Sequence, residues 1–188
     1  MKDILILGMP RTGKTTLAGK LRKELANYDL ISCDCIRNML SNCFPQLGIG
    51  PDKSAKKNEE ILPNCIYKLL KYNKKRTDTE IGFIVEGAQI LPDEANRLFK
   101  DSIIIFLGYG QKTPEELLKY IRKYDDEKQY TFKRSDNRIL KELKHNVVTD
   151  KMIQEKCKIY GYPYIDTTEN REAKIDELME QILKEIKG

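Results

Sequence analysis

The sequence predicts an α/β fold of three layers, a five-stranded parallel sheet with helices on both faces. Three observations carry this reading. Short, wholly apolar runs recur along the chain, as in strands buried on both faces. Between them lie segments whose apolar residues return every three or four positions, as on helices laid against a sheet. The 188 residues also suit one domain spanning 1–188, since a core of this size buries roughly 70% of the unfolded surface without disulfide or metal staples.

The elements follow in order. Ile4–Leu7 is a buried strand, and after Gly8–Thr15 the residues Leu17, Ala18, Leu21 and Leu25 mark a helix face. Tyr28–Ser32 is a short second strand. Asp34–Phe44 is helical, with Ile36, Met39 and Leu40 on one side, until Pro45 stops it. Pro45–Asp52 reads as a loop from Gly48, Gly50 and Pro51. From Ser54 a helix carries Ile61, Leu62, Cys65, Ile66, Leu69 and Leu70, with a kink expected at Pro63. Gly82–Val85 forms the third strand, ending at Glu86-Gly87, and Asp93–Lys100 a short helix. Ser102–Leu107 is the fourth strand, closed by Gly108 and Gly110. Pro114 opens a helix whose next residues, Glu115 and Glu116, suit its dipole. Tyr120–His145 alternates charges without a deep apolar stripe, so a mobile, solvent-facing excursion is expected there. Thr149–Tyr160 is a helix stopped by Gly161, Tyr162–Asp166 the fifth strand, and Ile175, Leu178, Met179, Ile182, Leu183 and Ile186 the buried face of the last helix.

Composition excludes several classes. With 40% hydrophobic and 34% charged residues, the chain is neither collagen-like nor wholly disordered. No apolar run approaches the ~18 residues of a membrane helix, and the N-terminus lacks the apolar region of a signal peptide. Five cysteines read as reduced thiols, which predicts a cytoplasmic protein. A net charge of +5 suits an anionic ligand but falls short of a nucleic-acid signature. Monomer and homodimer both remain open.

Gly8-Met9-Pro10-Arg11-Thr12-Gly13-Lys14-Thr15 matches G-x-x-x-x-G-K-[ST], with Thr16 following in the helix. The glycines let the backbone wrap a phosphate with its N–H groups inward. The helix behind them aims its positive end at the same anion. Lys14 reaches the β- and γ-phosphates, and the Thr15 hydroxyl ligates Mg²⁺. The motif sits between a buried strand and an amphipathic helix, the context its chemistry requires. A nucleoside triphosphate, ATP, is the expected ligand.

Phosphotransferases, regulatory GTPases and mechanical ATPases share such a loop. The nearest string to the guanine-reading N-K-x-D is Asn73-Lys74-Lys75-Arg76, which lacks the aspartate and lies on a helix. The paired acids common in mechanical ATPases are reduced to Glu86 alone. A phosphotransferase gains positive support from Ser32-Cys33-Asp34-Cys35-Ile36-Arg37, where Asp34 follows a strand end and Arg37 lies one helical turn on. An N-cap aspartate with a surface ion pair would read the same way.

Here the sequence resembles P-loop kinases of the nucleoside-monophosphate-kinase-like group, most closely those with the D-x-x-R element of polynucleotide kinases and zeta-toxin-like kinases. The resemblance implies a three-layer P-loop NTPase fold with a helical acceptor-binding excursion near 38–78 and a lid near 112–146. It gives Asp34 the acceptor hydroxyl's proton and Arg37 the task of holding the aspartate or a phosphate. An arginine beside an aspartate makes it a weaker base, which matters little in a loose transition state. A phosphate acceptor needs no base, so Asp34 favours a hydroxyl. Adenylate-type kinases carry D-G-x-P-R after the third strand, where this chain has Glu86-Gly87-Ala88-Gln89-Ile90.

Glu86 is a candidate for holding Mg²⁺ through water or for binding the acceptor, and a strand-end acid satisfied by backbone donors is the competing reading. Gln89 is a candidate acceptor contact. Arg122-Lys123-Tyr124-Asp125-Asp126 through Arg134 resembles a nucleotide-kinase lid, which makes Arg134 first, and Arg122 second, an arginine for the γ-phosphate. A solvated charged face fits this segment as well. Arg171, in Asn170-Arg171 after the fifth strand, falls where the family holds adenine.

Cys33, Cys35 and Cys43 lack a histidine or fourth thiol at zinc-site spacing. His145, the only histidine, has no recognisable nucleophile. Lys53, Lys56, Lys57 and the Lys74-Lys75-Arg76 run suit a helix's solvated face better than a polynucleotide track. The sequence therefore predicts a kinase moving the γ-phosphate of Mg·ATP to a hydroxyl of a small molecule, nucleoside or nucleotide. A polynucleotide 5′-hydroxyl kinase, a nucleoside monophosphate kinase and a non-catalytic nucleotide-binding switch are the alternatives. Arg11 stands where many such kinases have a glycine.

Overall fold

The computed structural model describes residues 1–51, 53, 55–76, 80–127 and 129–187. Strands β1 (Ile4–Gly8), β2 (Tyr28–Ser32), β3 (Gly82–Gly87), β4 (Ile103–Gly108) and β5 (Tyr164–Asp166) form one sheet in the order β2-β3-β1-β4-β5. Every pairing is parallel. The sheet is buried on both faces for the reason the apolar runs suggested. Successive side chains point to opposite sides, so Leu5, Leu7, Val85, Ile104 and Phe106 enter one core while Ile4, Ile6, Ile84, Ile103 and Ile105 enter the other.

Two helices cover the second face: α1 (Lys14–Glu24) and α7 (Arg171–Lys187), through Leu17, Leu21, Ile175, Leu178 and Ile182. The first face carries α2 (Cys33–Cys43), α3 (Ala55–Arg76), α4 (Pro92–Leu98), α5 (Pro114–Lys123) and α6 (Asp136–Tyr160). A 3-10 turn at Pro45–Leu47 joins α2 to the segment before α3. Helix α3 runs through Pro63 as one element, its Leu62, Ile66 and Leu70 buried against the core. Three expected boundaries, Asp52, Ser54 and Asp78, lie outside the described residues. Helix α5 opens as Pro114 predicts, with a capping box: the Glu116 N–H donates to Thr113 Oγ1 at 3.3 Å and the Thr113 N–H to Glu116 Oε2 at 2.8 Å.

One expectation is corrected. The segment Tyr120–His145 is not a solvent-facing excursion throughout, because α6 begins at Asp136 and buries Ile139 and Leu143 beside Leu117 and Ile121 of α5. The apolar stripe is narrow, about one residue per turn at Ile139, Leu143, Ile153 and Cys157, with the buried Asp150 interrupting it. Lysines and glutamates fill the other faces and mask it. Within 112–146, where a lid is expected, most of the residues outside helices form the connection between α5 and α6.

Candidate active site

The loop between β1 and α1 lies at the carboxyl end of the sheet, where open α/β sheets bind their ligands. Its curvature begins at Gly8, with φ 113°; a Cβ there would stand 2.1 Å from the carbonyl oxygen of Leu107 in β4. Gly13, with φ 93°, leads directly into α1. Four hydrogen bonds fix the rest. The Met9 N–H donates to Leu107 O at 2.9 Å, and Thr12 Oγ1 donates to Met9 O at 2.7 Å. From outside the loop, the Tyr109 hydroxyl donates to Pro10 O at 2.8 Å and the Thr167 hydroxyl to Thr12 O at 2.9 Å.

Lys14 follows at the start of α1, buried, with Nζ donating to Met9 O at 2.5 Å. Burial pushes its amine down to about 8, against the pull of Glu86, Asp34 and Cys33. The ammonium therefore stays charged at neutral pH, close to two acids that lie outside the loop. Thr15 Oγ1 donates to Glu86 Oε2 at 3.1 Å. Cys33 is fully buried beside this cluster, and desolvation followed by Glu86 and Asp34 pushes its thiol well up. It is an inert packing group. All five cysteines are free.

These donors fit Mg²⁺. Thr15 Oγ1 and the Glu86 carboxylate are hard oxygen ligands at the loop, and Mg²⁺ takes few protein ligands beside phosphate oxygens and water. Among the described residues no group of three or more His, Cys, Asp or Glu could hold a metal alone. An ion arriving with a triphosphate matches that donor set.

Next to the loop, β2 and β3 end side by side, with Ser32 in register with Glu86. The N-cap of α2 is Ser32, so Asp34 is not the cap. Its Oδ1 instead accepts from Gln89 Nε2 at 2.6 Å and pairs with Arg37 Nη1 at 2.9 Å. Gln89 is oriented by the Ala88 N–H, which donates to Gln89 Oε1 at 3.0 Å. The structure thus brings Asp34, Arg37, Gln89, Glu86 and Lys14 to one end of the sheet.

The connection between α5 and α6 folds over the loop. Arg122, at its base, uses all its donors: Nε and Nη2 reach Asp136 Oδ1 at 2.9 and 2.7 Å. Nη1 reaches Asp125 Oδ2 at 3.0 Å and Thr131 O at 3.2 Å, and Nη2 reaches Arg134 O at 2.5 Å. It frames the segment and does not face the loop. Arg134 pairs with Glu142 at 2.5 Å and lies over the Tyr130 ring at 4.8 Å. Arg171 stacks on Tyr124 at 5.5 Å. Arg11, Gly13, Lys14, Thr15, Thr16, Tyr124, Gln129 and Arg171 line a single cavity. A larger cleft, about 580 Å³, lies between Asp3, Tyr67, Lys74 and Phe99 near the amino ends of the strands, away from this chemistry.

Several residues were not legible beforehand. Tyr109 and Thr167 each stand just beyond a strand end, which is a usable signal. Tyr124 and Asp125 belong to the lid-like string, but their contacts with Arg11, like that of Gln129, gave no signal, since they span more than a hundred residues.

No protein-family model matches the chain. It is 31% identical over 149 residues to the shikimate kinase of Clostridium botulinum strain Loch Maree (Type A3), covering 78% of this chain and 80% of that one. The shikimate kinase of strain Okra (Type B1) matches over the same shares at 31%. Among solved structures, a shikimate kinase from Bacteroides thetaiotaomicron superposes with a TM-score of 0.61 at 12% identity, over 100% of this chain and 99% of that one. A gluconokinase from Sinorhizobium meliloti 1021 superposes with a TM-score of 0.52 at 12% identity, over 98% and 97%. Sheet order, phosphate loop and relatives define a P-loop kinase of the nucleoside-monophosphate-kinase-like group, a phosphotransferase that uses ATP with Mg²⁺ and acts on a small molecule. More narrowly, the chain belongs to the shikimate kinase family. No described helix is long and apolar enough to cross a membrane.

Proposed function

We propose that this kinase transfers the γ-phosphate of Mg·ATP to a hydroxyl group of a small acceptor bound beside Asp34. The observation that carries the reading is the Asp34 carboxylate, held by Gln89 at 2.6 Å and Arg37 at 2.9 Å and close enough to Lys14 for its charge to act on that amine. A fixed carboxylate at the acceptor side attracts a hydroxyl proton and repels a phosphate. Arg37, already answered by Asp34, adds little net charge for an anionic acceptor group there. The likeness to the D-x-x-R element of polynucleotide kinases enters through these two roles alone.

The remaining residues divide the work. Gly8–Thr16 cradle the phosphates, and Lys14 sits where the β- and γ-phosphates lie. Thr15 and Glu86 would hold Mg²⁺, which neutralises charge on the transferring group when bound. Asp34 accepts the hydroxyl proton, and Gln89 and Arg37 fix its direction. Arg134 is held by one ion pair to the partly exposed Glu142 and by the Tyr130 ring. It is the lid arginine with fewer ties to break before reaching the phosphates, whereas Arg122 is a framing residue. Arg171 and Tyr124 border the base of the nucleotide. Positioning supplies most of the catalysis in such a loose transfer. The five free thiols support a reducing, cytoplasmic setting.

The test is transfer of radiolabel from Mg·ATP to separate acceptor pools: shikimate, other small hydroxylated acids, sugars, nucleosides, nucleoside monophosphates and 5′-hydroxyl oligonucleotides. Label is expected in a small-molecule hydroxyl pool, falling about 10²-fold or more in Asp34→Asn and lost in Lys14→Ala. Label in the monophosphate pool with Asp34→Asn fully active would overturn the acceptor assignment. Label in oligonucleotides would point to the polynucleotide alternative, and its rate should then fall steeply with salt.

A further inference from the structure

The middle of the phosphate loop holds a residue its backbone does not favour. Arg11 has φ 66°, a left-handed conformation that glycine takes freely and other residues rarely adopt. Among the described residues only Asn170 shares this trait without being glycine. The Arg11 side chain is nearly buried and reaches across to the connection between α5 and α6. Nη1 donates to Gln129 Oε1. Nη2 donates to Asp125 Oδ1 and to the Tyr124 carbonyl, both at 3.4 Å.

The far end of this contact is well anchored. The Asp125 side chain is only 3% exposed. It also accepts from Arg122 Nη1 at 3.0 Å and from the Thr131 hydroxyl at 2.5 Å. Tyr124 and Gln129 in turn line the same cavity as Gly13, Lys14, Thr15, Thr16 and Arg171. One guanidinium therefore joins the loop at the floor of that cavity to the segment that forms its wall. A left-handed arginine whose side chain and carboxylate partner Asp125 are both nearly buried is a specific arrangement, since a glycine would satisfy the loop backbone alone.

We propose that Arg11 is a positioning residue that latches Tyr124, Asp125 and Gln129 onto the phosphate loop, and that nucleotide release requires this latch to open. The proposal rests on the reading of Gly8–Thr16 as the nucleotide loop. A planar fork binds a carboxylate, an amide oxygen and a carbonyl together, which a point charge does less well. Charge-assisted hydrogen bonds are also the stronger kind, and those to Gln129 and Asp125 are part-buried.

The experiment is stopped-flow release of a fluorescent N-methylanthraniloyl-ADP from the full chain. Arg11→Gly suits φ 66° and so leaves the fold intact. It is expected to speed release by about tenfold or more and to raise the KM for ATP more than it changes kcat. Arg11→Lys should release at an intermediate rate. Gln129→Ala should release faster than the unaltered chain, and the double variant Arg11→Gly/Gln129→Ala no faster than Arg11→Gly alone. Unchanged release in Arg11→Gly, or a double variant showing the product of the two single effects, would overturn the latch. Lys14→Ala is the control for the underlying reading and should lose binding of the labelled nucleotide. Full binding in Lys14→Ala would overturn the loop assignment, and the latch with it; failed binding there with unaltered release in Arg11→Gly would overturn the latch alone.

Discussion

The phosphate loop and the acceptor corner lie one strand apart at the same end of the sheet. The loop is fixed through its backbone: Gly8 passes against Leu107 in β4, and carbonyls 9, 10 and 12 each accept from a side chain of Lys14, Thr12, Tyr109 or Thr167. The acceptor corner is fixed mainly through side chains, with the Ala88 N–H on Gln89 its backbone contact. Its centre, the Asp34 carboxylate, is 58% exposed and is held by two neighbours on one oxygen. On the proposed function, the donor nucleotide meets a cradle tied to the ends of neighbouring strands, and the acceptor meets a more exposed edge.

The sharpest way to break the comparison is at Gly8. Gly8→Ala places a Cβ 2.1 Å from Leu107 O at φ 113°, so a loss of about 3 kcal/mol or more is expected, a Tm lower by roughly 10 °C. Thermal unfolding with and without Mg·ATP checks it. An unchanged Tm would mean the loop yields more easily than its contacts imply.

A second, smaller effect comes from pH. The Lys14 amine, lowered to about 8 by burial, binds phosphates in its charged form, and a bound polyanion raises its affinity for the proton. Nucleotide binding above pH 8 therefore takes up a proton. Affinity should be flat below pH 8 and fall above it, approaching about tenfold per pH unit. Calorimetric titrations in buffers of different ionisation enthalpy would show the uptake above pH 8, and it should fade as the pH falls toward 7.

The smallest effect belongs to the acceptor side. Gln89→Ala removes the 2.6 Å bond to Asp34 and should lower kcat/KM for the acceptor about 3–10-fold, with the KM for ATP little changed. Equal losses on both substrates would erase the distinction between the two regions.

The same contrast decides what was readable in the sequence. Strands β1, β3 and β4 are continuous apolar runs because both faces are covered, and the phosphate loop is a local motif, so both were legible. Glu86 beside Thr15 followed from a strand-end position. The Gln89–Asp34 bond joins residues 55 positions apart, and only the β2–β3 register brings them together. The first half of helix α6 hid behind its charges, since Ile139 and Leu143 make a stripe one residue wide, whereas Thr149–Tyr160 was legible. Arg122 illustrates the other limit. Sequence placed an arginine near the phosphates, but Asp125 and Asp136, with the Thr131 and Arg134 carbonyls, take up its whole guanidinium.

That guanidinium also makes the covering segment a separable part. Arg122 ties the exit of α5 to Thr131, Arg134 and Asp136, the last at the entry of α6, so the two helix ends are clasped whatever lies between them. The stretch behaves as a cassette on a buckle. On the proposed latch, changes to its interior alter nucleotide residence time while the Arg122 clasp still joins the two helix ends.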